Sequence, residues 1–326
     1  MNLLRSSGML VFLAGLAFAQ LPDFYKKVSR VTWLVKDLDR AVQGWSKLGL
    51  SDVQEYGDID FNEVEYRGKP ASVRVRVATG FLGEVAVDML QPVEGDNAFT
   101  AFLSKHGDGI FAIVHEAPDL EALERETGRL RSLGAGLLQR MSIDAGNGPI
   151  VFHYFDTEPQ GKYVLGLMHW PGGAPSGLAP GKLSQIAFVV RDPAAASAYW
   201  QKLGFPAMTK SHADPRPDQR YRGKPASFGF DMYWQRHTQL AYEWIVPPAE
   251  PNFYSEFLKA HGEGIQHLGV PVEDMDKAIA EYEKLGYKVA QSGAWGEAGK
   301  KGSGRYAYMD TDSIGGVSAE LLWSLK

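Results

Sequence analysis

The 326-residue chain carries eight histidines and no cysteine. Any catalytic or metal chemistry therefore rests on imidazole, carboxylate, amide and phenol groups, with no thiolate ligand and no disulfide. His106 and His261 sit in HGDGI and HGEGI, one phrase used in both halves, and that recurrence reads as structural. His212 and His237 stand alone in polar segments and read as surface residues. His267 opens the run HLGVPVED, where period-2 alternation puts it on one face with Gly269 and sets Leu268, Val270 and Val272 on the other. A histidine alone at a strand start is more often a satisfied structural group than a ligand. Further on, WGEAGKKGSGRYAYMD reads as a glycine-rich hairpin. There Trp295, Arg305, Tyr306 and Tyr308 could line a pocket or hold an anionic group, a solvated hairpin being the alternative. Arg216, Arg220 and Arg222 offer a carboxylate site on the same terms.

These residues need elements to position them, and the sequence announces the elements by repetition. YRGKPAS occurs at 66–72 and again at 221–227, an offset of 155 residues that also relates HGDGI to HGEGI. The two halves are copies in register. A shorter period runs inside each half: RVTWLVKDLDRAVQGWSKLGL, QIAFVVRDPAAASAYWQKLGF and HLGVPVEDMDKAIAEYEKLGY share an apolar strand, an Asp, an amphipathic helix and Leu-Gly. A weaker fourth copy runs from 112 to 136. Asp37, Asp119, Asp192 and Asp274 sit where a helix N-cap belongs, and Gly49, Gly134, Gly204 and Gly286 where a left-handed residue ends the helix. The second copy has more residues between Asp and Gly than the others, which predicts a longer or looped helix. Strand-like runs follow each helix, so the chain reads as four tandem βαβββ modules, an α+β fold. YRGKPAS falls in the turn before a module's second strand, a structural remnant of duplication.

Composition narrows the partners. With 44% hydrophobic and 22% charged residues the chain is globular. A net charge of -5 excludes the basic field by which proteins neutralise nucleic-acid phosphates. The first twenty residues have Arg5, an apolar run from Met9 to Phe18 and small residues at Ala17 and Ala19, the pattern of a secretory leader cleaved after Ala19. That run is shorter than the roughly 20 residues needed to cross a bilayer, so a secreted or periplasmic protein without stable membrane insertion is expected. The expected organisation is a leader at 1–19, a first domain at 27–170, a turn-rich linker at 171–181 and a second domain at 182–326.

A βαβββ unit in tandem pairs, with a helix of the form V-x-D-x-x-x-A-x-x-Y/F-x-x-L-G, resembles the vicinal oxygen chelate superfamily. That group includes glyoxalase I, methylmalonyl-CoA epimerase, extradiol dioxygenases and bleomycin-resistance proteins. The resemblance implies two cup-shaped eight-stranded domains, each with metal ligands from the first and last strands of its modules. Carried onto the second half, those places hold Gln185, Glu243, His267 and Glu320, the order of glyoxalase I. Small neighbours at Ala187, Ala241, Gly269 and Ser318 leave room for a metal ion and substrate. In the first half the same places hold Arg30, Asp88, Ala112 and Gly166, a set that cannot hold a divalent ion, and Arg30 and Asp88 are expected to form a buried ion pair instead.

The resemblance further implies a divalent metal (zinc, nickel, cobalt, manganese or iron), a small-molecule substrate that chelates it through vicinal oxygens, and proton transfer by Glu243 or Glu320. The reading is an exported metal-dependent isomerase or lyase. A ring-cleaving dioxygenase and a metal-free binding protein stand as alternatives, and a homodimer stays open.

Overall fold

The computed structural model describes residues 21–178, 182–249 and 251–326, so the expected leader at 1–19 lies outside the described residues. In the first half the elements run β1 (Arg30–Leu34), α1 (Leu38–Lys47), β2 (Ser51–Asp60), β3 (Asn62–Tyr66), β4 (Lys69–Pro70), β5 (Arg74–Leu82), β6 (Val85–Glu94) and α2 (Ala98–His106). They continue with β7 (Gly109–Glu116), α3 (Leu120–Ser132), β8 (Leu137–Asp144), β9 (Pro149–Phe155), α4 (Glu158–Gly161) and β10 (Val164–His169). The second half repeats the order with β11 (Gln185–Val189), α5 (Pro193–Lys202), β12 (Thr209–Ala213), β13 (Arg220–Tyr221), β14 (Lys224–Pro225), β15 (Phe230–Arg236), β16 (Ala241–Ile245) and α6 (Phe253–Ala260). It closes with β17 (Gly264–Pro271), α7 (Met275–Lys284), β18 (Val289–Trp295), β19 (Gly304–Met309) and β20 (Ser318–Ser324).

The local chemistry forms these helices as expected. Asp37, Asp119, Asp192 and Asp274 each accept a hydrogen bond from the backbone three residues on. The four closing glycines have φ between 92° and 110°, in the region where a side chain costs most. The second module's helix, α3, has 13 residues against ten in α1, α5 and α7, which accounts for its longer sequence spacing.

Each half forms one curled sheet of ten strands, where eight were expected. The first is ordered β2-β5-β6-β1-β7-β10-β9-β8-β3-β4 and the second repeats it as β12-β15-β16-β11-β17-β20-β19-β18-β13-β14. Eight strands of each come from two modules joined through the antiparallel β1–β7 or β11–β17 pair. The two additional strands are the YRGKPAS hairpin, which lies between the module's second and third long strands and pairs with the neighbouring module's β8 or β18. Its turn uses Arg67 and Gly68, or Arg222 and Gly223, all at positive φ, the geometry of a tight two-residue hairpin. The repeat therefore links modules across the rim of the cup.

The helices and the outer sheet faces share one apolar core, in which Trp33, Trp45, Trp200 and Trp244 are fully buried. The domains meet through that core and through a reciprocal contact: His106 Nδ1 lies 2.6 Å from the carbonyl of His261, and His261 Nδ1 lies 2.8 Å from the carbonyl of His106. The repeated HG phrase thus joins the two copies. Among the described residues no helix is long and apolar enough to cross a membrane.

Candidate metal centre

Strand alternation and register decide what faces each cup. Across the second sheet Trp234, Glu243, Ala187, His267 and Ser318 lie in one cross-strand row. The next row runs Ala241, Gln185, Gly269, Glu320 and Tyr308. The opposite face of β11, with Ile186 and Phe188, packs into the shared core. All four expected ligand residues therefore converge, each beside a small neighbour. Gly269 is required there, because a Cβ at that position would fall 2.1 Å from Gln185 Cγ.

The cluster is buried: Gln185 is 9% exposed, Glu243 5%, Glu320 3% and His267 0%. His267 Nε2 lies 3.5 Å from Glu243 Oε2 and 3.2 Å from Glu320 Oε2. Gln185 Nε2 donates to the same two carboxylates at 2.9 and 2.7 Å. Donor atoms of Glu243, His267 and Glu320 lie within 4.8 Å of one another, the one such group of three among the described residues. Burial opposes charge on His267, yet the carboxylates of Glu320 and Glu243 outweigh it and lift the imidazole to about 9. Burial also raises Glu243, helped by the charge of Glu320 and opposed by His267 and Gln185.

These residues fit a divalent cation. His267 Nε2 is buried and makes no hydrogen bond, although two carboxylates stand close to it. His267 Nδ1 contacts Gln266 Oε1 at 2.9 Å, the outer contact that fixes a ligating imidazole with its Nε2 lone pair free. Gln185 turned about its last bond presents Oε1 where Nε2 now points. One imidazole, two carboxylates and an amide oxygen suit borderline and hard divalent ions.

The first cup shows why the other half cannot serve. Arg30 Nη1 donates to Asp88 Oδ1 at 3.0 Å and Oδ2 at 2.7 Å, and Thr79 donates to Asp88 at 3.0 Å. The expected buried ion pair is present, with Ala112 and Gly166 in the remaining two places. Phe99, Phe111, Phe152 and Tyr154 fill the interior.

Of the residues expected near the pocket, Tyr308 belongs to the site: it pairs with Glu320 across the strands and its ring lies 4.8 Å from that of His267. Tyr306, two residues away, shares that face, and its buried hydroxyl has no hydrogen-bond partner. Arg305 does not belong. Strand alternation turns it to the outer face, where it pairs with Asp276 at 2.8 Å. Trp295 stands at the rim opposite Gly304 and donates to the Gly302 carbonyl. His212 pairs with Asp231 at the surface. His237, expected at the surface, is partly buried, because the segment Asp23–Lys26 covers it and its Nδ1 meets the Tyr25 carbonyl. Arg216 and Arg220 bond to loop carbonyls, and Arg222 is held by Glu256 and Asp310. Sequence reasoning missed Gln266, whose adjacency to His267 was the available signal.

Residues 184–308 match the model of the glyoxalase/bleomycin resistance protein/dioxygenase superfamily. No curated protein matches the chain. Among solved structures, a mutant of 4-hydroxymandelate synthase from Streptomyces coelicolor aligns over 91% of this chain and 92% of its own, at 16% identity and a TM-score of 0.60. A Mn(II)-bound glyoxalase from Novosphingobium aromaticivorans aligns over 92% and 83%, at 14% identity and a TM-score of 0.49. A halotolerant catechol dioxygenase aligns over 92% and 88%, at 14% identity and a TM-score of 0.46. The family match thus lies in the second half, at residues 184–308, and the chain as a whole shares its fold with 4-hydroxymandelate synthase.

Proposed function

We propose that the second domain is a metal-dependent isomerase or lyase centre acting on a small substrate with two neighbouring oxygens. The observation that carries this reading is the buried convergence of Glu243, His267 and Glu320 with Gln185 at its edge. Two carboxylates held this close inside a protein need compensating positive charge, which the His267 imidazolium supplies without metal and a divalent ion would supply when bound. A bound divalent ion would act as a Lewis acid towards an enolate-like state of the substrate. His267 and Gln185 would hold the ion, with Glu243 and Glu320 able to exchange between metal and proton. Glu243, whose carboxyl is raised by burial and by Glu320, suits the proton acceptor, and its acid form can return the proton to an adjacent carbon. Tyr308, itself buried, walls the site beside His267.

The donor set favours this reading over ring cleavage with ferrous iron, which uses two imidazoles and one carboxylate; here a neutral amide stands in the place of the second imidazole. Metal analysis of the purified protein tests it. One equivalent of a divalent metal is expected, falling below a tenth in His267→Ala and Glu320→Ala; a metal-free protein indifferent to chelators would instead fit a sequestering function. The leader read at residues 1–19 belongs to the same proposal and would deliver the protein outside the cytoplasm. N-terminal sequencing of the mature protein checks this, and a mature chain that keeps Met1 would reject it.

A further inference from the structure

Resting on the metal-chelate reading, we infer that the substrate carries a carboxylate, held by Arg236 at the far side of the second cup. The inference comes from register. Arg236 pairs with Ala241, and Ala241 pairs with Gln185, so the three lie in one row on the face that carries the ligand residues. Trp234, two residues before Arg236, is directly across from Glu243, which fixes that face of β15 as the inner one. Two inter-strand spacings put the Cα of Arg236 about 10 Å from that of Gln185. In that row the residue between them is Ala241, whose side chain is a methyl group.

Arg236 is unlike the other arginines near the mouth. Arg216, Arg220 and Arg222 are committed to carbonyls or carboxylates, and Arg305 pairs with Asp276 outside the cup. Arg236 has no carboxylate partner among the described residues. Its guanidinium rests 5.8 Å from the centroid of the Trp234 ring, whose Nε1 is anchored to Ser211 Oγ at 2.8 Å. A guanidinium that lies over an indole face without a carboxylate partner has N–H donors available to a planar, bidentate anion. The floor between this cation and the metal cluster is one small residue flanked by an indole, which suits a flat apolar body. The substrate class is therefore a short carboxylic acid with a planar, apolar middle and a vicinal-oxygen pair at its other end.

The test uses the manganese-loaded full chain and a matched pair of catechol probes, 3,4-dihydroxyphenylacetate and its methyl ester, with affinities measured by calorimetry. The free acid is expected to bind about tenfold more tightly than the ester. In Arg236→Gln that ratio is expected to collapse towards one, with partial recovery in Arg236→Lys. Arg305→Gln, which removes the same charge from the outer face, is expected to keep the full ratio. An equal affinity for acid and ester, or a ratio unchanged in Arg236→Gln, overturns the inference and leaves the metal-chelate reading standing. Ester binding that does not depend on manganese overturns the metal-chelate reading and this inference with it.

Discussion

Replacing Glu243 by Gln should have opposite consequences with and without metal. At 3.5 Å from the His267 imidazolium the Glu243 carboxylate gains about 4.7 kcal/mol at an effective dielectric of about 20. With Glu320 no more than 4.8 Å away, its repulsion is at least about 3.5 kcal/mol on the same scale. The two nearly cancel, and burial, which raises the Glu243 carboxyl, disfavours the charge further. In chelator, Glu243→Gln should therefore be stable to within about 1 kcal/mol of the parent, instead of losing the roughly 3–5 kcal/mol of a broken buried ion pair. With metal at a hundred times its dissociation constant, the parent should gain about 2.7 kcal/mol. The variant, short of one ligand, should gain little, so the order of stabilities reverses. Thermal unfolding of both proteins with chelator and with manganese or zinc measures the four values. A loss of several kcal/mol in chelator together with an undiminished metal shift would refute the reasoning, because Glu243 would then be part of a structural ion network.

Three further outcomes are expected. In chelator, His267 is raised to about 9 from an unfolded value near 6.5, so its contribution is full below pH 6.5 and is lost as pH rises through 9. Denaturant midpoints between pH 6 and 10 should fall accordingly, and saturating metal should flatten the fall. Gly269→Ala places a methyl group 2.1 Å from Gln185 Cγ and should displace that side chain, lowering metal affinity about tenfold or more while the unfolding transition stays cooperative, as calorimetry can show. His106→Ala and His261→Ala each remove half of the reciprocal inter-domain contact, and each should cost about 1–3 kcal/mol, read from urea unfolding. The double variant should cost less than the two together, since the contacts share one seam.

Much of this molecule was legible because its signals are local and repeated. The capping aspartates and closing glycines act within one turn of their own helix, so sequence spacing suffices to place Asp37 or Gly286. The metal cluster was reached through a family pattern, and period-2 alternation then set the correct face for Gln185 and His267. Arg305 was read as a pocket residue, although it stands one residue from Tyr306 and hence on the other side of the strand, where it pairs with Asp276. The ten-stranded sheets were hidden because YRGKPAS pairs with a strand of the next module, and no local pattern encodes a partner some 70 residues away. Arg236 was invisible for the same reason. Its place in the cup depends on how β15 registers against β16, which only the folded sheet decides.

The mutual grip of His106 and His261 has the form of an isologous interface, in which a residue on each copy meets its own counterpart. Here both copies lie on one chain, so the pairing happens at a fixed effective concentration and does not weaken on dilution. A symmetric dimer of identical subunits must keep or lose its metal sites in step. A fused pair is free of that constraint: one half can carry the Arg30–Asp88 ion pair where the other carries the Glu243, His267 and Glu320 cluster.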